Sequence, residues 1–247
     1  MRVLVSGGHG ALGKRIAEYC LQNGHVVFAP GREDMDCTNR REVHSVIRKF
    51  GPDFLIACAA FTDVRAAETQ RTAAHFGNVL TAEETGHACR WAMLPWVYVS
   101  TDYVFSGPGP HCVLSEVNPT TEYAKTKRQG ELATLRNWGQ VARVAFITPE
   151  QATNYKWVNA YTLSNREWVE QTAERLVKFG EVMLTGVVVP RIWHLGPPQV
   201  FKTRAALVKE RFPTSPCLND LVTTPEEHKR RVGYAAPEDT RFCDCWE

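Results

Sequence analysis

Short apolar runs alternate with longer mixed segments over the first 147 residues. Arg2-Val3-Leu4-Val5-Ser6, Val26 to Ala29, Phe54 to Ala57, Trp96 to Ser100 and Val141 to Ile147 are apolar nearly throughout, the pattern of strands covered on both faces. Between them, Lys14 to Asn23, Arg40 to Phe50, Thr72 to Trp91 and Glu122 to Trp138 read as helices. Thr38 or Asn39 can cap the second. The third has Phe76, Val79, Leu80 and Ala88 for its apolar side, and Asp63 to Glu68 before it reads as a polar connector. Strand and helix in alternation predict an α/β fold with a doubly wound parallel sheet.

Beyond Thr148 the pattern weakens. Asn154 to Asn165 is rich in Asn, Tyr and Trp, suited to a loop over a polar ligand or to a surface loop packed by its own aromatics. Asn165 can cap a helix from Arg166 to Lys178, Val182 to Val189 reads as a strand, and Pro197-Pro198 breaks the chain. Thr203 to Arg211 and Pro225 to Val232 read as helices, the latter capped by Thr224. The expected organisation is a dinucleotide-binding domain over residues 1–150. Residues 151–247 form a small substrate-binding lobe that shares the sheet and does not fold alone.

Charge and composition narrow the classes. A net charge of +2 without a basic run argues against a nucleic-acid or membrane-surface partner. No apolar stretch approaches the roughly 18–20 residues that span a bilayer. The chain opens directly on a strand, so no signal peptide is expected and the cytoplasm is the expected location. The eight cysteines read as free thiols of a reducing compartment. Cys243-Asp244-Cys245 is the one close pair and brings no further ligands, so no metal is expected.

The first strand runs into Gly7-Gly8-His9-Gly10-Ala11-Leu12-Gly13 and then a helix. Gly7 permits the tight turn, Gly10 lets backbone approach a pyrophosphate, and Gly13 lets helix pack on strand. The helix amino terminus adds unpaired N–H groups. Gly7, Gly10, Ala11, Leu12 and Gly13 are therefore candidate cofactor contacts. The second strand ends without the acid that would take a ribose 2′-OH, and Arg32 follows instead. Arg32 toward a 2′-phosphate favours NADPH; Glu33 or Asp34 in the acidic role would leave NADH as the alternative. Asp36 and Cys37 are placed toward the adenine. Small residues after the third strand, Ala59, Ala60 and Thr62, let a cofactor lie against backbone. Asn78 is either a packing amide or the holder of a catalytic loop.

Tyr123 and Lys127 stand four apart in a helix, one turn from each other. An ammonium beside a phenol stabilises phenolate and lowers the phenol's pKa, and Thr101 can hold the same carbonyl oxygen. Arg191, His194, Lys202 and Arg204 either meet a diphosphate or are ordinary surface charges.

Together these residues resemble the dTDP-4-dehydrorhamnose reductase family, a branch of the extended short-chain dehydrogenase/reductases with a Rossmann fold. The resemblance rests on the Gly7/Gly10/Gly13 turn, Asp36-Cys37-Thr38, Cys58-Ala59-Ala60-Phe61-Thr62, Ala67-Glu68, Asn78, Ser100-Thr101-Asp102-Tyr103-Val104-Phe105-Ser106-Gly107, and Tyr123 with Lys127. It implies NADPH-dependent reduction of the 4-keto group of a nucleotide-activated deoxysugar. Tyr123 would donate the proton, Lys127 would bind the nicotinamide ribose, and Thr101 would hydrogen-bond the carbonyl oxygen. Thr101, Asp102, Val104, Phe105, Tyr123 and Phe146 become candidate substrate contacts, and a homodimer stays open. Cys58 replaces the family's usual Asn, and the run after Arg143 loses the family's Trp and Tyr. A non-catalytic NADP-binding regulatory subunit and a sugar-nucleotide epimerase or dehydratase are the alternatives. The absence of a second acid after Thr101-Asp102 favours reduction.

Overall fold

Three apolar strands meet edge to edge before any other element is placed. β1 (Arg2–Ser6) pairs in parallel with β2 (Val26–Phe28) on one side and β3 (Phe54–Ala57) on the other. β4 (Trp96–Thr101), β5 (Gln140–Val144) and β9 (Ile192–Leu195) extend the sheet to six parallel strands in the order β2-β1-β3-β4-β5-β9. The computed structural model describes residues 1–107, 109–113, 115–154, 158–159, 164–196, 203–215, 218 and 221–232. Strand order reverses between β1 and β3, and crevices for ligands open at the carboxyl ends of strands at such a point.

The two-residue period of each strand sends side chains to opposite faces. Val3 and Val5 join Ile16 of α1 (Ala11–Gln22) and Leu176 and Val177 of α8 (Val169–Leu184) in one buried cluster. Leu4 points the other way, to Val43 and Ile47 of α2 (Arg40–Phe50), Ala88 of α5 (Thr81–Trp91), and Trp96 and Tyr98 of β4. Both faces are covered, as a parallel sheet requires. α6 (Glu122–Arg136) lies against α5 and β4, and its amino terminus is capped by Thr121, whose hydroxyl accepts from Ala124 N.

The structure differs from the sequence pattern at several places. The expected helix from Thr72 to Trp91 is three pieces: α4 (Arg71–His75), a π-helical turn over Phe76–Leu80, and α5. The wide turn carries Asn78 inward, fully buried, while Phe76 is half exposed instead of on the apolar side. The connector from Asp63 is itself a helix, α3 (Val64–Thr69), because the Asp63 carboxylate caps Ala66 N. The expected strand from Val182 to Val189 is the end of α8 followed by an exposed segment. Gly186, at φ +79, follows the helix end, Val188 is almost wholly exposed, and the strand forms later, at β9. The expected helix start at Arg166 moves to Val169, because Glu167–Trp168 form a short strand, β8, that pairs with β6 (Phe146–Ile147). The single strand expected over Val141 to Ile147 therefore divides, and β6 leaves the main sheet.

Residues past Thr148 contribute α8 and β9 to the main sheet. They also build a separate small cluster in which Ile147, Ala152 and Trp168 meet Ala205, Leu207 and Val208 of α9 (Arg204–Arg211). α7 (Pro149–Asn154), β7 (Val158–Asn159), β10 (Leu221–Val222) and α10 (Pro225–Val232) complete this part, with β7 and β10 paired in parallel. Thr224 caps α10 through Glu227 N, as expected. Pro197-Pro198, Lys202 and Cys243-Asp244-Cys245 lie outside the described residues.

Candidate active site

A cleft of about 830 Å³ runs over the carboxyl ends of the strands, from the Gly7–Gly13 loop to Arg204. That is toward the upper end of the about 300–1,000 Å³ spanned by small-molecule sites. At one end, Gly7 takes φ +67, and a Cβ there would stand 2.8 Å from the Ala59 backbone. A Cβ on Gly13 would collide with the Gly7 carbonyl. Only glycine allows the loop to lie this close to the strand ends. α1 begins at Gly10 with no side-chain cap and no acid in its first turn. Its first N–H groups and positive dipole end are thus available to phosphate oxygens. Ala11 and Leu12 line the cleft here, facing Cys58, Ala59, Ala60 and Thr62 across it.

Arg32, Asp36 and Cys37 line the same end of the cleft. Arg32 is strongly exposed, 3.9 Å from the Asp36 carboxylate. Burial works against the charged form of Asp36, but the Thr38 backbone N–H and hydroxyl, at 2.9 and 2.8 Å, hold its carboxyl below the usual range. Glu33 is engaged by His9 Nδ1 at 3.0 Å, and the Arg32 guanidinium lines this end of the cleft.

Thr101, Tyr123 and Lys127 come together at the middle of the cleft. Thr101 is the last residue of β4, and the first turns of α6 bring Tyr123 and Lys127 over it. The Thr101 side chain lies by the Tyr123 phenol and favours its charged form. Lys127 is buried: its Nζ donates to Val99 O at 2.6 Å and sits 4.0 Å above the Tyr98 ring. Burial pulls the Lys127 amine down to about 7, against the pull of Glu131 upward. Burial also pushes the Tyr123 phenol up; Thr101 opposes this, while Asp102 and Tyr103 reinforce it. The expected lowering of the phenol is not what the site shows: loss of water around Tyr123 dominates, and Thr101 is what opposes it. Cys58, which replaces the family's Asn, has its thiol pushed up to about 12 by burial.

Three sequence candidates stand off the cleft wall. Asn78 is fully buried behind it: its amide oxygen accepts from Phe61 N at 2.9 Å, and its amide nitrogen donates to Phe61 O and to Thr126 Oγ1 at 3.1 and 2.9 Å. It ties the Cys58–Thr62 segment to α6, the loop-holding role of the two considered. Val104 and Phe105 are fully buried beneath the site. Phe105 stacks on His111 at 4.5 Å and underlies the Arg143 guanidinium at 4.9 Å.

The family model of the RmlD substrate binding domain matches residues 1–177. The chain belongs to that family. It is 29% identical over 211 residues to a dTDP-4-dehydrorhamnose reductase of Streptomyces griseus, covering 78% of this chain and 69% of the relative. It is 32% identical over 159 residues to a dTDP-4-keto-6-deoxy-D-glucose reductase of Streptomyces niveus, covering 62% and 55%. The chain thus spans about half to two-thirds of the length of these curated relatives. Its fold matches a crystal structure of dTDP-4-dehydrorhamnose reductase from Bacillus anthracis in complex with NADP. The TM-score is 0.81 at 22% identity, over 98% of this chain and 89% of that one.

In this RmlD-family chain the far end of the cleft is lined by Phe146, Thr148, Gln151, Arg166 and Arg204. Phe146 and Arg204 were legible as candidates; Thr148, Gln151 and Arg166 were not. Arg166 read as the first residue of a helix, and its pairing across β6–β8 has no local signal. Of the other candidates, Arg191 binds the Leu135 and Gly139 carbonyls behind α6, and His194 lies half-buried beside Arg143 at 3.4 Å, its imidazole pulled down to about 3 by burial and by Arg143. A buried network behind the site also escaped the sequence reading. Glu131, one turn after Lys127, accepts from Arg143 at 2.8 and 2.9 Å, from Ser100 at 2.7 Å and from Arg128 at 2.7 Å. Burial pushes its carboxyl up, but these donors together hold it below its ordinary range.

Proposed function

We propose that this protein is an NADPH-dependent reductase of the 4-keto group of a nucleotide-activated deoxysugar. The observation that carries the reading is the convergence of Thr101, Tyr123 and Lys127 on the same cleft as the Gly7–Gly13 loop. The reductase names of the relatives support it.

The loop, the α1 amino terminus and Arg32 would hold the diphosphate and the 2′-phosphate of the cofactor, which supplies the hydride when bound. Thr101 and Tyr123 would bind the ketone oxygen from two sides. As negative charge develops on that oxygen, Tyr123 passes it the phenolic proton and Thr101 steadies the alkoxide. A phenol held well above its ordinary pKa stays protonated through the working pH range. Lys127, poised near 7, can carry charge when a ribose hydroxyl approaches and favour the phenolate left after transfer. Asn78 keeps the opposite wall in place. The described cysteines are free thiols, which suits a cytoplasmic setting. No helix among the described residues is long and apolar enough to cross a membrane.

The test is consumption of NADPH, followed in its nicotinamide absorbance, on addition of dTDP-4-keto-6-deoxyglucose or its epimers. Substrate-dependent oxidation is expected. Tight NADPH binding without oxidation across these sugars would overturn the reading in favour of a non-catalytic cofactor-binding protein.

A further inference from the structure

Asp102 and Arg166 form an ion pair at 3.7 Å within the wall of the cleft, and both are almost fully buried. The two carboxylate oxygens of Asp102 are held from opposite directions. Oδ1 accepts from the Thr101 hydroxyl at 3.2 Å, and Oδ2 faces Arg166 Nη2. The Thr101 oxygen in turn accepts from Tyr103 N at 3.2 Å, and its side chain acts on the Tyr123 phenol, favouring the charged form. Arg166 is fixed from behind, because its Nε donates to Ser164 Oγ at 3.2 Å and the next residue, Glu167, donates its N–H to Ala145 O at 3.1 Å. A continuous line of contacts therefore runs Arg166, Asp102, Thr101, Tyr123.

We propose that Arg166 is a positioning residue for the proton donor: it holds the Asp102 carboxylate, and through it the Thr101 hydroxyl, in the orientation that serves Tyr123. This rests on the reductase reading of the site. A buried carboxylate beside the phenol opposes the negative charge that Tyr123 acquires as it gives up its proton. A guanidinium on the outer oxygen of Asp102 offsets that field, and in a poorly solvated wall the offset is worth more than at a surface. The groups that face Tyr123 are Thr101 and Tyr98 from β4, Asp102 and Tyr103 from the turn after it, and Lys127 from its own helix. The Tyr103 ring stands edge-on at 6.4 Å. Arg166 comes from the carboxy-terminal part, across the β6–β8 pairing, and so links that part of the chain to the chemistry.

The test compares R166M, R166K, D102N and R166M/D102N in NADPH oxidation across pH. R166M should lose about tenfold in kcat with KM changed less than about threefold. The pH profile of kcat should shift from that of wild type, because the field at the Tyr123 phenol has changed. R166K should recover most of the rate, and R166M/D102N should recover more than either single change allows, because the carboxylate whose field Arg166 offsets is then gone as well. A rise in KM with kcat unchanged would make Arg166 a substrate contact and overturn the proposal. So would a loss that D102N does not relieve. An activity-independent readout separates this from the reductase reading: the isotope-labelled ring signal of Tyr123 in NMR, assigned with Y123F. In R166M it should move, and in R166M/D102N it should return toward wild type. If that pattern appears in a protein that turns over no ketosugar, the reductase reading fails and the positioning role stands. If turnover is present and the Tyr123 signal does not respond to Arg166, the positioning role fails and the reductase reading stands.

Discussion

The two ends of the cleft are built differently. The Gly-loop end stands on β1, β3 and β4, strands packed on both faces by α1, α2, α5 and α8, with a fully buried ion network behind Lys127. The far end stands on two-residue strands, β6 and β8, and on a small cluster around Ile147 and Leu207. The first is determined by long apolar strands and by glycines with no room for a side chain. The second is determined by a few long-range pairings. On the proposed function, the first half would handle the cofactor and the proton and the second would add groups that meet the sugar, with Arg166 tying the second to the first.

Substitutions on the two sides should separate accordingly. The largest effect is expected from Tyr123→Phe, which removes the proton and leaves the pocket. Turnover should fall by about 10²–10⁴-fold while NADPH affinity by calorimetry stays near wild type. Glu131→Gln leaves Arg143 and Arg128 facing a neutral amide in a buried site. Breaking such a pair costs about 3–5 kcal/mol, to be read by denaturant unfolding. Ile56→Ala and Leu207→Ala each delete a buried side chain, for about 2–5 kcal/mol at its site. Ile56→Ala should lower the stability of the whole sheet. Leu207→Ala should release hydrogen exchange mainly in α9 and around Ile147, and equal loosening of both regions would erase the contrast between them. Arg32→Ala should weaken NADPH by about tenfold, the value of one charge-assisted contact to the 2′-phosphate, and leave NADH nearly unchanged.

A pH slope is expected as well. Burial lowers the Lys127 amine to about 7 in the folded protein, from an ordinary value of 10.5. Between these values the unfolded chain binds more protons than the folded one. Stability should therefore rise with pH across that window, by up to about 1.4 kcal/mol per pH unit from this group. Lys127→Met should flatten the slope between those limits, as read by melting in a pH series.

The first half was legible because its signals are local. Apolar runs marked β1, β3 and β4, the glycine spacing marked the turn, and the Tyr123–Lys127 spacing placed both on the first turns of one helix. What stayed hidden depends on contacts distant in sequence. The π-helical turn at Phe76–Leu80 follows from Asn78 reaching the Phe61 backbone, 17 residues away. Arg166 enters the cleft only because Glu167 pairs with Phe146. Val182 to Val189 has strand composition, yet the sheet edge is occupied by Ile192–Leu195. Burial also reversed one expectation, since desolvation pushes the Tyr123 phenol up where a lowered value was expected.

The most direct measurement is hydride transfer itself. NADPH deuterated on one face of the nicotinamide, then on the other, is incubated with dTDP-4-keto-6-deoxysugar, and the product is weighed by mass spectrometry, with Tyr123→Phe as the control. Deuterium in the sugar from one of the two faces, lost in the variant, is the expected result. No deuterium in the sugar from either face, with NADPH bound, would contradict the reductase assignment of Thr101, Tyr123 and Lys127.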